Sequence, residues 1–244
     1  MTAPISVQLY SVRNALAEDL PGTLDRIAAL GFQNVELFGF VDKVDEYREA
    51  LAASGLAALS AHAQMVETGE VERTLEAAAA LGVQTLIDPA IRDWSTADAV
   101  TGAARRLGEI AASAQAHGLT IGYHNHWWEF ETQLDGRPAF DLFVDELPPA
   151  VVLELDTYWA EVGGASATEL LGRLGDRVRL IHVKDGPGNR DTAAQQPAGS
   201  GSVPVREILA AAPHAVRVIE FDDYSGDVFD GIAQSLEFVQ GQGE

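Results

Sequence analysis

Ala116-His-Gly-Leu-Thr-Ile-Gly-Tyr-His-Asn-His126 is the stretch on which the fold turns. An Ala-rich helical segment stops at Gly118, a short apolar run follows, and the run ends in two imidazoles flanking an asparagine, with Glu129 close behind. Gly just past a helix suits the left-handed cap, because it lacks the Cβ that makes positive φ costly. Helix, Gly, strand in that order is one half of a βαβ unit.

The same junction recurs upstream. Ala28-Ala-Leu-Gly31 precedes Asn34-Val-Glu-Leu37, Ala52-Ala-Ser-Gly55 precedes Leu56-Ala-Ala-Leu59, and Ala80-Leu-Gly82 precedes Gln84-Thr-Leu-Ile87. Extending the count predicts eight strands, at 5–10, 34–38, 56–61, 84–88, 119–124, 150–155, 177–183 and 215–220. Helical patterns alternate with them near 19–30, 43–53, 69–81, 96–117, 137–146, 165–174, 204–212 and 227–240. Short apolar runs without clean alternation suit strands buried on both faces of a parallel sheet. Eight alternations in 244 residues predict an α/β fold, a single (β/α)8 TIM barrel spanning 1–244 as one domain. A doubly wound open sheet would want a Gly-rich phosphate loop after the first strand, and Leu9-Tyr-Ser-Val-Arg13 is not one.

Composition narrows the function. With 37 acidic against 16 basic residues, the formal net charge is −21. Phosphate backbones are held by Lys and Arg, so nucleic acid is a poor partner. The absence of cysteine removes disulfides and thiolate metal sites. No run approaches the roughly 18 apolar residues of a membrane span, and no signal-peptide pattern opens the chain, so the expected compartment is the cytoplasm.

Three later apolar runs also end in ligand-type side chains: Val151-Val-Leu-Glu-Leu-Asp156, Val178-Arg-Leu-Ile-His182 and Val216-Arg-Val-Ile-Glu-Phe221. In a barrel, the C-terminal strand ends face one another. Burying several carboxylates and imidazoles together is expensive unless a cation compensates them, which predicts one divalent metal ion. Oxygen and nitrogen donors without sulfur suit Mn2+, Mg2+, Co2+ or Zn2+, with Mn2+ the first choice. The Gly-rich segment 185–203, after the seventh strand, reads as a substrate lid or a mobile surface loop.

The chain resembles the xylose-isomerase-like TIM barrels of sugar isomerases and epimerases. The resemblance rests on Gly122-Tyr-His-Asn-His126 with Glu129-Phe130, Leu153-Glu-Leu-Asp156 with Trp159, Ile181-His-Val-Lys-Asp185, Val218-Ile-Glu-Phe221 and the opening Val7-Gln-Leu-Tyr-Ser-Val-Arg13. It implies a Glu–Asp–His–Glu metal set, of which Asp156, His182 and Glu220 match the last three. The first departs: the fifth strand offers Gly122, His124 and His126 where relatives carry Glu, so either Glu129 reaches back or His126 replaces it, and Glu129 is preferred. Glu220 is then a catalytic acid or base, with Glu129 or His126 as counterpart. His62, His124, Lys184, Glu36 and Trp159 are expected to bind substrate.

The activity implied is proton transfer beside a carbonyl of a sugar or keto-sugar through an enediolate, giving epimerisation or isomerisation. An inosose-type dehydratase or keto-glycoside lyase would use the same site. A metal-dependent endonuclease-type phosphodiesterase conflicts with the charge. The expected partner is a small sugar, with homo-oligomers known among relatives.

Overall fold

The computed structural model describes residues 3–242. Eight parallel strands close into a barrel: β1 (Ile5–Gln8), β2 (Asn34–Leu37), β3 (Ala57–His62), β4 (Thr85–Asp88), β5 (Thr120–His124), β6 (Val151–Asp156), β7 (Val178–Val183) and β8 (Val216–Ile219). Each strand pairs with its sequence neighbour, and β1 pairs with β8 to complete the ring. The connecting helices are α1 (Leu20–Ala29), α2 (Val44–Ser54), α3 (Val71–Ala80), α4 (Ala97–Ala114), α5 (Ala139–Glu146), α6 (Ala167–Leu174), α7 (Val205–Ala211) and α8 (Val228–Gly241). The (β/α)8 architecture expected from the sequence is therefore the one observed.

Local chemistry explains the boundaries. Gly55 and Gly118 stand at φ +72° and +71°, turning the chain out of α2 and out of the short 3-10 turn that ends α4. Helix starts are capped by side chains: Asp19 accepts from the Gly22 N–H, Thr96 from Ala99, and Asp227 from Phe229 and Asp230. Outward-facing Val7, Leu37, Leu86, Tyr123, Leu155 and Ile181 are buried in the main core together with helix residues such as Leu24, Leu107 and Phe143. Inside the barrel, Ile87, Leu180 and Val218 form a separate apolar plug. His182 and Glu220 lie two residues further along β7 and at the exit of β8, so strand alternation points them inward just above that plug.

The segment after β7 is tied to the barrel by hydrogen bonds. The buried Asp185 carboxylate accepts the backbone N–H groups of Gly186, Gly199, Gly201 and Val203 at 2.8–3.1 Å. The Tyr158 hydroxyl donates to the Asn189 carbonyl and accepts its N–H. The Gln195 amide donates to Asp222 and its carbonyl accepts the Asp222 N–H. Among the described residues, no helix is long and apolar enough to cross a membrane.

Candidate functional site

Glu36, His62, His124, Glu154, Asp156, His182, Lys184 and Glu220 come from six of the eight strands or their exits and meet at the C-terminal end of the barrel. The Glu154 Oε2 is their focal atom, 2.6 Å from His62 Nε2, 3.0 Å from His124 Nδ1 and 3.1 Å from His182 Nε2. Glu36 Oε1 lies 2.8 Å from His182 Nε2 and 3.1 Å from His62 Nε2, and it accepts a 2.7 Å hydrogen bond from the Gln8 amide. The His62 and His182 rings are parallel, with centroids 5.3 Å apart.

The other nitrogen of His182, Nδ1, donates to Glu220 at 2.7 Å. Here a second group begins. The Lys184 ammonium lies 2.8 Å from Asp156, 2.6 Å from Glu220 and 2.9 Å from Asp222. Asp156 also accepts the Trp159 N–H and so caps the short helix Thr157–Val162. His124 Nε2 is 3.6 Å from Asp156, so this ring stands between the two groups.

Charge and burial oppose each other throughout. Burial alone would favour neutral His62, but Glu36 and Glu154 outweigh it and push the imidazole up to about 10. Burial is likewise outweighed at His182 by Glu154 and Glu220, which raise it well above the ordinary value, and at Lys184 by Asp156, Asp222 and Glu220. His124 goes the other way: burial and the neighbouring imidazoles hold it neutral. Glu220 is kept ionised because Lys184 and His182 overcome its burial. Among the paired acids, burial and Glu36 raise Glu154, whereas His62 and His182 overcome burial to lower Glu36.

A divalent ion fits this chemistry. Two sets of side chains hold ligand atoms within 4.8 Å of one another: His62, His124, Glu154 and His182, and Asp156, His182 and Glu220. Moreover, Glu36 Oε2, Glu154 Oε1 and Asp156 Oδ2 are buried and have no hydrogen-bond partner. Buried carboxylate oxygens seldom remain unpartnered.

Not every expected residue reaches the centre. Glu129, preferred from the sequence as the fourth ligand, is fully buried on the outer side of β5: Oε1 accepts from the Tyr123 hydroxyl at 2.7 Å and Oε2 from the His126 N–H at 2.9 Å. Tyr123 alternates with the inward-facing His124, so an acid bonded to Tyr123 is behind the strand. The carboxylate that shares the cavity comes instead from Glu154, opposite His124 on the neighbouring strand. His126 stays at the rim, stacked on Trp128 with ring centroids 4.1 Å apart, and its Nδ1 has no partner. Trp159 is buried beneath Lys184 rather than offering a face to the cavity. The aromatic wall belongs to Tyr10 and Phe38, packed edge to face.

Asn125 is a residue whose purpose the sequence left unread. Its side-chain carbonyl accepts the Asp156 N–H at 3.0 Å, and its amide donates to the Asp156 carbonyl at 3.1 Å. It thereby ties the exits of β5 and β6 together, and the polar residue between two histidines was the available signal. Asp88 has a comparable structural task, accepting N–H groups from Met65, Val66 and Ala90.

The centre opens into a cavity of about 620 Å³ lined by, among others, Tyr10, Phe38, His62, His124, His126 and Glu220. Arg73 is the one Lys or Arg on its wall among the described residues, and it is paired with Asp42 and Glu70.

The profile of the xylose isomerase-like TIM-barrel family matches residues 24–240. No curated protein sequence matches the chain. Among solved structures, a sugar phosphate isomerase/epimerase from Parabacteroides distasonis superposes with a TM-score of 0.84 at 22% identity, covering 98% of this chain and 94% of that one. A probable 3-DHS dehydratase, AsbF from Bacillus anthracis, gives 0.74 at 13% identity over 97% and 98%. An IolI protein with a bound zinc atom gives 0.73 at 14% identity over 99% and 98%. At these identities the likeness is one of fold.

Proposed function

The chain belongs to the xylose isomerase-like TIM-barrel family, and from that premise we propose that it is a divalent-metal-dependent isomerase or epimerase of an uncharged sugar or keto-sugar. The observation that carries the reading is the convergence of buried imidazoles and carboxylates, three of the carboxylates with unpartnered oxygens, on the floor of an open cavity. A bound divalent ion would supply polarisation of the substrate carbonyl, which acidifies the adjacent C–H.

The residues of the chain supply the rest. Glu220 reaches the cavity as a carboxylate, kept ionised by Lys184 and His182, and is the proposed proton acceptor. His126, whose ring lies on the same cavity wall, is the proposed counterpart that returns it. Tyr10 and Phe38 offer apolar faces to the C–H side of a sugar ring. The acids on the wall, Asp42, Glu70, Glu220 and Asp222, can take sugar hydroxyls and would repel a phosphate.

A dehydratase or keto-glycoside lyase is the second reading. What favours it is His124 at the end of β5, where a carboxylate would complete a two-acid proton exchange. A carboxylate facing a histidine suits removal of a proton and protonation of a departing group.

Incubating metal-loaded protein in D2O with free keto-sugars and keto-glycosides separates the two. Deuterium at the α-carbon with retention of the whole substrate supports epimerisation or isomerisation, and release of water or aglycone supports elimination. Absence of both across the panel rejects sugar proton transfer.

A further inference from the structure

We propose that the substrate is a two-ring glycoside: the reacting ring enters the main cavity, and a second, uncharged sugar ring lies in a neighbouring hollow against Trp128. The inference rests on the sugar reading proposed above and holds for either outcome of the proton transfer.

The hollow, of about 390 Å³, is lined by Arg92, Asp93, Trp94, Ser95, Trp128 and Thr132. That volume falls within the roughly 300–1,000 Å³ of small-ligand pockets. Two connections make it an extension of the main cavity. The stretch after β4 serves both spaces, with Pro89 and Ala90 on the wall of the main cavity and Arg92 to Ser95 on that of the hollow. On the β5 side, His126 lines the main cavity and Trp128 lines the hollow, and their rings are stacked, 10° from parallel with centroids 4.1 Å apart. A single imidazole–indole stack therefore stands between the two spaces.

The lining suits a sugar. Trp128 is fixed by His126 and by the edge of Trp127, whose ring centroid is 5.5 Å away. Trp127 is in turn covered by the Arg190 guanidinium, 3.4 Å from its centroid. Trp94 is buried and spends its indole N–H on the Ile91 carbonyl at 2.7 Å, so it contributes hydrocarbon. The C–H face of a sugar ring packs on such surfaces. Around them stand Arg92, Asp93, Ser95 and Thr132, whose side chains can hydrogen-bond hydroxyl groups. An aromatic platform held in place before binding loses little freedom when the ligand arrives.

Charge favours a neutral ring. Arg92 is offset by Glu67, whose carboxylate lies 3.6 Å from its Nε and accepts its backbone N–H at 2.8 Å. Asp93 accepts the N–H and hydroxyl of Ser95. With one cation offset and one further acid present, the hollow has no surplus positive charge for a phosphate or carboxylate. Contacts made to the remote ring then help position the reacting one.

The test titrates metal-loaded protein with glucose, cellobiose, maltose and trehalose by isothermal calorimetry, with circular dichroism as the check on folding. At least one disaccharide is expected to bind about 10-fold more tightly than glucose, and Trp128→Ala is expected to abolish that ratio. Thr132→Tyr, which fills the hollow and leaves Trp128 in place, should abolish it too, and it decides if Trp128→Ala fails to fold. No disaccharide binding more tightly than glucose, or a ratio that survives in the folded variant, would overturn the proposal. Deuterium exchange into free keto-sugars without any disaccharide gain sinks the second-ring site alone. Absence of exchange across the keto-sugar panel, with the disaccharide gain intact, sinks the proton-transfer reading and leaves the site standing.

Discussion

Glu154 and His124 face each other across the β5–β6 pair, with carboxylate oxygen and ring nitrogen 3.0 Å apart and both side chains buried. The contact relocates an acid: the fifth strand contributes an imidazole, and the sixth contributes both Glu154 and Asp156, two residues apart and on the same face. A centre that lacks a carboxylate on one strand obtains one from the next.

Glu129 is expected to be structural. Glu129→Gln should leave divalent metal content unchanged by elemental analysis, while disturbing the contacts to Tyr123 and His126 costs about 1–3 kcal/mol. At roughly 2–4 °C per kcal/mol for a chain of this size, calorimetry should register the loss. Depletion of metal in this variant would return Glu129 to the centre.

This pair also shows what sequence reading reached. The eight strands, their order and the inward delivery of Asp156, His182 and Glu220 were legible, because Gly caps and apolar runs are local signals. Glu154 was legible as a polar residue in an apolar run but not as the partner of His62 and His124, since those contacts span 92 and 30 residues. Glu129 misled for the converse reason. Proximity to His126 in sequence said nothing of the side of the strand on which a short helical turn would leave its carboxylate. In the segment 185–203, composition did not disclose that three of its glycines are where Asp185 collects backbone N–H groups.

Metal-free protein is expected to lose stability as pH rises from about 6.5 towards about 10. The folded value of His62, about 10, lies above the ordinary unfolded value of about 6.5. A raised folded value stabilises fully below the unfolded one and stops contributing above the folded one. His182 shifts in the same direction. Chemical denaturation across this range measures the effect, and a midpoint that does not fall between pH 6.5 and 10 would contradict it.

Asn125→Ala should cost about 1–3 kcal/mol, because the Asp156 N–H and carbonyl both lose their side-chain partner in a buried setting. Thermal unfolding measures the loss. A midpoint equal to that of the parent would show that the β5–β6 tie is dispensable.

Free keto-sugars are expected to be processed with kcat/KM at least about 10-fold above their phosphorylated counterparts, with the gap narrowing as salt rises. Preference for the phosphate ester would mean that the acids on the wall do not govern selection.

Asp185→Ala should expose the segment after β7 to proteolysis. Four backbone N–H groups lose their common acceptor. Mass spectrometry of limited digests is expected to find new cuts between residues 186 and 202, and an unchanged digestion pattern would mean that the remaining contacts suffice.

The tethering of that segment bears on how a reaction here is shielded from water. Swinging it over the mouth would strip a buried charge of its donors, so this stretch is poorly suited to serve as a gate. For the proposed sugar substrate, shielding then falls to the other walls of the cavity and to the bulk of the substrate itself, and truncated substrates would leave the reactive carbon wetter.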